Sequence, residues 1–172
     1  MSSRGALLLS FALIAAQPTL ADVFAGEASS ARMHHQILQL VNEARSRSRR
    51  CGHSLYPAAA PLGASRMLDE AAARHAHDLA DHRHFDHTGT DGSEPRDRVR
   101  ASGYGSRLTG ENIAFGPESA EEVVRGWLAS PGHCANIMDA RFRDMGFAVV
   151  RGYRRGHWYW VQVFAAPRRA VK

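Results

Sequence analysis

An α+β domain, with helices covering a small antiparallel sheet, is predicted from three observations. Apolar residues recur at helical spacing through the first half of the chain. Two β-branched and aromatic runs, separated by a short polar turn, close its C-terminal end. Helices first and a hairpin last argue for segregated elements around one core. At 172 residues, with 44% hydrophobic and 23% charged, the chain has the size and composition of one ordinary globular domain.

The elements follow in order. Arg4 and the twelve-residue apolar run Gly5 to Ala16 read as a secretory signal, too short to span a bilayer as a helix. Thr19-Leu20-Ala21 supplies a small-x-small cleavage pattern, which places the cut after Ala21, with Ala25 as second choice. A retained membrane anchor is the competing reading. The expected organisation is a signal at 1–21, a small, polar, flexible leader at 22–31, one domain at 32–167 and a basic tail at 168–172.

Met33, Ile37, Leu40, Val41 and Ala44 lie on one face of a helix expected over Arg32 to Arg47. SRSRRCGHS, from Ser46, ends it, and Tyr56 to Gly63, with two prolines, reads as an irregular connection. A second helix is expected from Ala64 to Arg83, with Leu68, Ala72, His75 and Leu79 as its stripe. His87 to Ser93 is turn-rich, and Pro95 and Gly103 bracket a short helix around Val99. Gly110 to Gly116, GENIAFG, is a candidate third strand. Ser119 with Glu122 forms a capping box ahead of Val123, Val124, Trp127 and Leu128, and Pro131 ends that helix. Strands Met145 to Gly152 and His157 to Ala166 form the hairpin around Tyr153 to Gly156. No internal repeat or low-complexity tract is present.

The formal charge is +5, and Lys172 is the only lysine. The arginines are scattered, without the basic stripe and interleaved aromatics of a nucleic-acid surface. RGYRRGHWYW, Arg151 to Trp160, comes closest and reads as a hairpin instead. No segment beyond the signal is apolar enough to cross a membrane, so the mature chain is expected to be exported, to the periplasm or the medium, and to act as a monomer. In an oxidising compartment Cys51 and Cys134 are expected to pair; two free buried thiols are the alternative.

Four motifs occur in order: HFDHTGTDGS (His84 to Ser93), GENIAFG, WLASPGHCANIM (Trp127 to Met138) and YWVQVFA (Tyr159 to Ala165). Together they resemble the bacterial branch of the CAP superfamily, which contains cysteine-rich secretory proteins, venom allergens and plant pathogenesis-related proteins. The resemblance covers roughly Met33 to Ala166 and implies an α-β-α sandwich with a cleft holding two histidines and two glutamates. His87, Glu111 and His133 match three of those four positions. The second glutamate does not match: Ser130 stands three residues after Trp127, and Glu121 or Glu122 would substitute only by turning inward.

His87 and His133 each sit at the edge of a Gly-rich turn, where a side chain can enter a cleft. Two imidazoles beside a carboxylate are adequate zinc ligands. His77 and His84, seven apart with Asp81 between, read as a solvated face, with a metal site as the alternative; His75 reads as a hydrogen-bonded core histidine, and His34, His35, His53, His82 and His157 as surface residues. Asn112, Ser130 and Asn136 are expected to shape the cleft, the asparagines by capping neighbouring turns. Cysteine-protease and serine-hydrolase readings fail for want of context around Cys134 and Ser130. The function expected is binding rather than turnover. The cleft would hold a divalent cation, zinc first, and a small apolar or cell-envelope ligand. Alternatives are a zinc-dependent hydrolase with Glu111 as base and an interaction module with a vestigial cleft.

Overall fold

A computed structural model describes residues 20–152 and 157–168, with side chains from Ala31 onward. Residues 1–19 of the signal peptide expected at 1–21, the hairpin turn at 153–156 and residues 169–172 of the basic tail expected at 168–172 lie outside the described residues. The order of elements is α1 (Leu20–Arg45), β1 (Arg49–Cys51), β2 (Ser54–Tyr56), β3 (Gly63–Ala64), α2 (Arg66–His82), α3 (Pro95–Ala101), β4 (Ser106–Phe115), α4 (Ala120–Ala129), α5 (Pro131–Met138), β5 (Asp144–Arg151) and β6 (Trp158–Pro167).

Four strands form the central sheet in the order β3-β5-β6-β4, antiparallel except for the short parallel pairing of β3 with β5. Alternation along the strands sorts their side chains into two cores. Tyr159, Val161, Val163 and Ala165 of β6, with Ile113, pack against Leu68, Ala72, Leu79 and Val99 from α2 and α3. Trp160 and Phe164, with Met145 and Phe147 of β5, face Ile37, Val123, Trp127 and Ile137 from α1, α4 and α5. The molecule is therefore an α-β-α sandwich. Gly146 marks how closely α2 lies on the sheet, since a Cβ there would sit 2.3 Å from Asp69 N and Leu68 C.

Several elements depart from expectation. The first helix begins at Leu20 rather than near Arg32, so the segment expected as a flexible leader lies within it. The polar run RRCGHSLY folds into the β1–β2 hairpin, turning through Gly52 at φ +61 and His53. Pro131 ends α4 but also opens α5, where proline at the first position is tolerated because its missing N–H has no intrahelical partner. Ser130, extended at φ −93 and ψ 123, is both the C-cap of α4 and the N-cap of α5. Ser119 caps α4 as expected, its hydroxyl accepting from Glu122 N, while the Glu122 carboxylate accepts from Glu118 N.

The cysteines are paired. Cys51 at the end of β1 and Cys134 inside α5 form a disulfide with Cα atoms 5.5 Å apart, clamping the hairpin onto α5.

Candidate functional site

β4 is an edge strand, so the open side of its backbone must be satisfied by other groups. Two helical side chains do this. Trp127 Nε1 on α4 donates to Ile113 O at 3.2 Å, and Asn136 Nδ2 on α5 donates to Glu111 O at 3.0 Å. The Trp-bearing and Gly-Glu-Asn motifs are thus halves of one device that seals the edge. Gly110 belongs to it as well, because a Cβ there would meet Phe142 Cζ at 2.7 Å.

Alternation sends Glu111 and Asn112 to opposite faces of the sheet. Asn112, fully buried, donates from Nδ2 to Gln162 Oε1 at 3.1 Å and His133 O at 3.3 Å, and its Oδ1 accepts from Asn136 Nδ2 at 2.9 Å. This is a neutral amide cluster that fixes α5 and, with it, the backbone of His133.

Glu111 enters the α2–α3 layer, with its carboxylate almost wholly buried. Arg98 of α3, also buried, donates from Nη2 to Glu111 Oε2 at 2.9 Å and to His87 O at 2.9 Å; its Nη1 donates to Ser93 O at 2.6 Å. The other carboxylate oxygen takes His87 Nδ1 at 2.8 Å. A carboxylate paired with arginine can only accept, so in the neutral imidazole the His87 proton sits on Nδ1 and Nε2 is left bare. His75 lies behind, its Nε2 donating to Asp86 O at 3.0 Å and standing 3.7 Å from Glu111 Oε1.

The electrostatics follow from these contacts. The hydrogen bond to Glu111 raises the His87 pKa above its ordinary value, against the opposing effect of partial burial. Burial lowers that of His75. Burial, then the charge of His87, lowers that of His133. His87 and His133 come from opposite helical layers, and His133 is near enough for the charge of His87 to lower its pKa. The His87 side chain remains 47% exposed, so its bare nitrogen is open to a ligand.

His133 departs from expectation in one respect: it lies in the first turn of α5, not at the edge of a turn. Asn112 and Asn136 also do more than cap turns, since they join the sheet to α5. Ser130 contributes its backbone, Ser130 O accepting from Cys134 N at 2.9 Å. Glu121 and Glu122 are exposed; Glu121 pairs with Gln36, and neither turns into the cleft. Arg98 is the functional residue that sequence reasoning misses. An arginine beside Val99 in a short helix reads as surface, and nothing local in the sequence says that the helix turns it inward. His75 is the hydrogen-bonded core histidine expected. His77 and Asp81 are exposed, while His84 Nε2 donates to Thr88 O at 2.9 Å. His34 is half-buried against Phe147, ring centroids 4.2 Å apart, rather than a plain surface residue.

Among the described residues, no three His, Cys, Asp or Glu side chains converge as a metal-holding group. Both Glu111 oxygens are already engaged, and this leaves two imidazoles as the donor set. Such a pair fits a cation completed by ligands from solution, not a closed structural zinc site with four protein ligands.

A sandwich whose edge strand is sealed by a tryptophan and an asparagine, with a histidine from each helical layer bonded to adjacent residues of that strand, defines a class of protein by fold and site. The sequence profile of the cysteine-rich secretory protein family, CAP, matches residues 38–164, and the chain belongs to that family. It is 34% identical over 104 residues to the uncharacterized protein YkwD of Bacillus subtilis, covering 60% of this chain and 39% of YkwD. An extracellular protein containing an SCP domain from Bacillus anthracis superposes with a TM-score of 0.66 at 25% identity, covering 88% of this chain and 45% of that one. An outer surface protein of Borrelia burgdorferi superposes with a TM-score of 0.65 at 20% identity, covering 83% of this chain and 95% of that one. The chain thus spans less than half the length of YkwD and of the Bacillus anthracis protein. No helix among the described residues is long and apolar enough to cross a membrane.

Proposed function

We propose that the protein is exported and acts as a binding module. Its cleft takes a divalent cation, zinc first, through His87 and His133, together with a small apolar or cell-envelope ligand that completes the coordination. The observation that carries this reading is the chain Arg98–Glu111–His87. It is the arrangement in which a carboxylate orients a histidine and leaves the opposite ring nitrogen free for a metal. Bound zinc would supply a positive charge and open coordination positions for a ligand's anionic or carbonyl oxygen.

The same chain favours binding over hydrolysis. A general base must reach a water, and the Glu111 carboxylate is buried, with one oxygen on Arg98 and the other on His87. Extracellular and surface placement of the structural neighbours supports export.

Zinc titration followed by thermal unfolding tests the reading, with His87→Ala/His133→Ala alongside. A ligand specific to the folded state stabilises it by about 2.7 kcal/mol at a hundredfold excess over Kd. The parent protein is expected to gain this stability and the double variant to lose the response. An equal response in both, or none in either, contradicts the cation site. Zinc-dependent turnover of a peptide or envelope substrate that disappears in Glu111→Gln would replace binding with hydrolysis.

A further inference from the structure

A cavity of about 460 Å³ opens at the N-terminal end of β4, with none of His87, Glu111 or His133 in its lining. Four arginines from three segments line it: Arg96 and Arg100 on successive turns of α3, Arg107 on β4, and Arg168 just past β6. The lining includes no carboxylate. Among the described residues, Arg100 is paired with Asp97 at 3.1 Å, whereas Arg96, Arg107 and Arg168 have no acidic partner. Four exposed arginines with a single ion pair among them leave this concavity with an excess of positive charge that attracts an anion.

The cavity has further features that suit an anion. Arg168 is held over β4 by Nε donating to Ser106 O at 3.1 Å and by its backbone N donating to Gly105 O at 2.8 Å. Its terminal guanidinium nitrogens carry no hydrogen bond among the described residues. The hydroxyls of Ser106 and Thr109, hydrogen-bonded to each other at 3.1 Å, leave one O–H as a donor at the wall. Gly103, at φ +86, and Gly105 keep that wall free of side chains. The Tyr104 phenol is directed away, to Asp144. Guanidinium forks match the oxygens of phosphate in paired hydrogen bonds, as lysines do not. A cavity of this size exceeds inorganic phosphate and has room for a phosphate carried on a sugar-sized body.

We propose that this arginine-lined cavity is a second binding site, specific for a phosphate group on a small organic ligand. It is independent of the histidine cleft and of the function proposed for it.

Calorimetric titration at low and moderate salt tests the proposal with three probes: inorganic phosphate, a hexose 1-phosphate, and vesicles of phosphatidylglycerol against phosphatidylcholine. The variant is Arg100→Gln/Arg168→Gln. A control with the same loss of charge is Arg74→Gln/Arg125→Gln, both outside the cavity. The expected result is saturable binding of the hexose phosphate, tighter than inorganic phosphate. It weakens about tenfold or more in the cavity variant and stays within about twofold in the control. Binding confined to phosphatidylglycerol vesicles and lost in the cavity variant assigns the phosphate to a lipid headgroup and keeps the site. No binding of any probe, or equal weakening in cavity and control variants, overturns it.

Discussion

The two faces of β4 bury polar groups in opposite ways. On the α5 face Asn112, Asn136 and Gln162 form a neutral cluster of amides. On the α2–α3 face Glu111 sits in a buried ion pair with Arg98, flanked by two histidines. Adjacent residues of one strand feed both. A neutral network, once satisfied, specifies how layers dock. A buried ion pair is a poor way merely to stabilise a fold, because desolvation offsets its Coulombic gain. What the ionic face adds is a histidine at the surface with a defined proton and a bare nitrogen. The neutral face positions the backbone of the second histidine. Structure and site are thus divided between the two sides of one edge strand.

The ionic face breaks most severely. Arg98→Met leaves the Glu111 carboxylate buried without its cation and is expected to cost about 3–5 kcal/mol in denaturant unfolding. Adding Glu111→Leu should restore much of that loss. A single-variant cost below about 1 kcal/mol, or no recovery in the double variant, would show that Arg98 and Glu111 do not act as one buried unit.

The disulfide ranks next. In the chain-entropy model, a bridge across 83 residues contributes about 4 kcal/mol, with strain and residual structure reducing it. Cys51→Ala/Cys134→Ala should therefore lower stability by about 2–4 kcal/mol. It should also loosen α5, seen as faster amide exchange at Ile137 and Met138. Unchanged exchange there would separate the bridge from the placement of His133.

The neutral face should yield less. Asn136→Ala removes the donor to Glu111 O and one partner of Asn112, and is expected to cost about 1–3 kcal/mol. Zinc affinity should fall with it through His133, while the Arg98–Glu111–His87 chain stays intact. A variant as stable as the parent would mean that water replaces the amide at the strand edge.

The smallest effects are in pH dependence, and they have opposite signs. His87 has a folded pKa raised above 6.5, so its contribution to stability is full below that pH and is lost as pH rises through the folded value. His75 has a folded pKa lowered below 6.5, so its contribution is present above that pH and is lost as pH falls toward the folded value. His87→Gln should remove the alkaline-side loss and leave the acid-side loss, as read by thermal unfolding across roughly pH 5–9. Removal of the acid-side loss instead would reverse the assignment.

Much of the fold was legible because its signals are local. The α2 stripe of Leu68, Ala72 and Leu79, the Ser119 cap and the two C-terminal strands each advertise themselves within a dozen residues. The β1–β2 hairpin was not legible, because its residues are polar and it is held by a distant disulfide and by Pro131 against Gly52. The double role of Pro131 was hidden for a similar reason, since proline ends one helix and opens the next with the same chemistry. In the site, glycine context and resemblance pointed to His87, Glu111 and His133. The partner that determines the role of Glu111 is Arg98, thirteen residues upstream. Its burial depends on how α3 docks against β4, and no pattern within a seven-residue helix encodes that.

The most direct test of the central claim is the imidazole nitrogen spectrum of the protein labelled with ¹⁵N-histidine, recorded on the alkaline side of the His87 titration, where its imidazole is neutral, before and after zinc. The predicted result is a His87 proton on Nδ1, where Glu111 accepts it, with Nε2 bare, and a zinc-induced shift of Nε2 of His87 together with a nitrogen of His133. A proton on His87 Nε2, or zinc that shifts neither histidine, would contradict it.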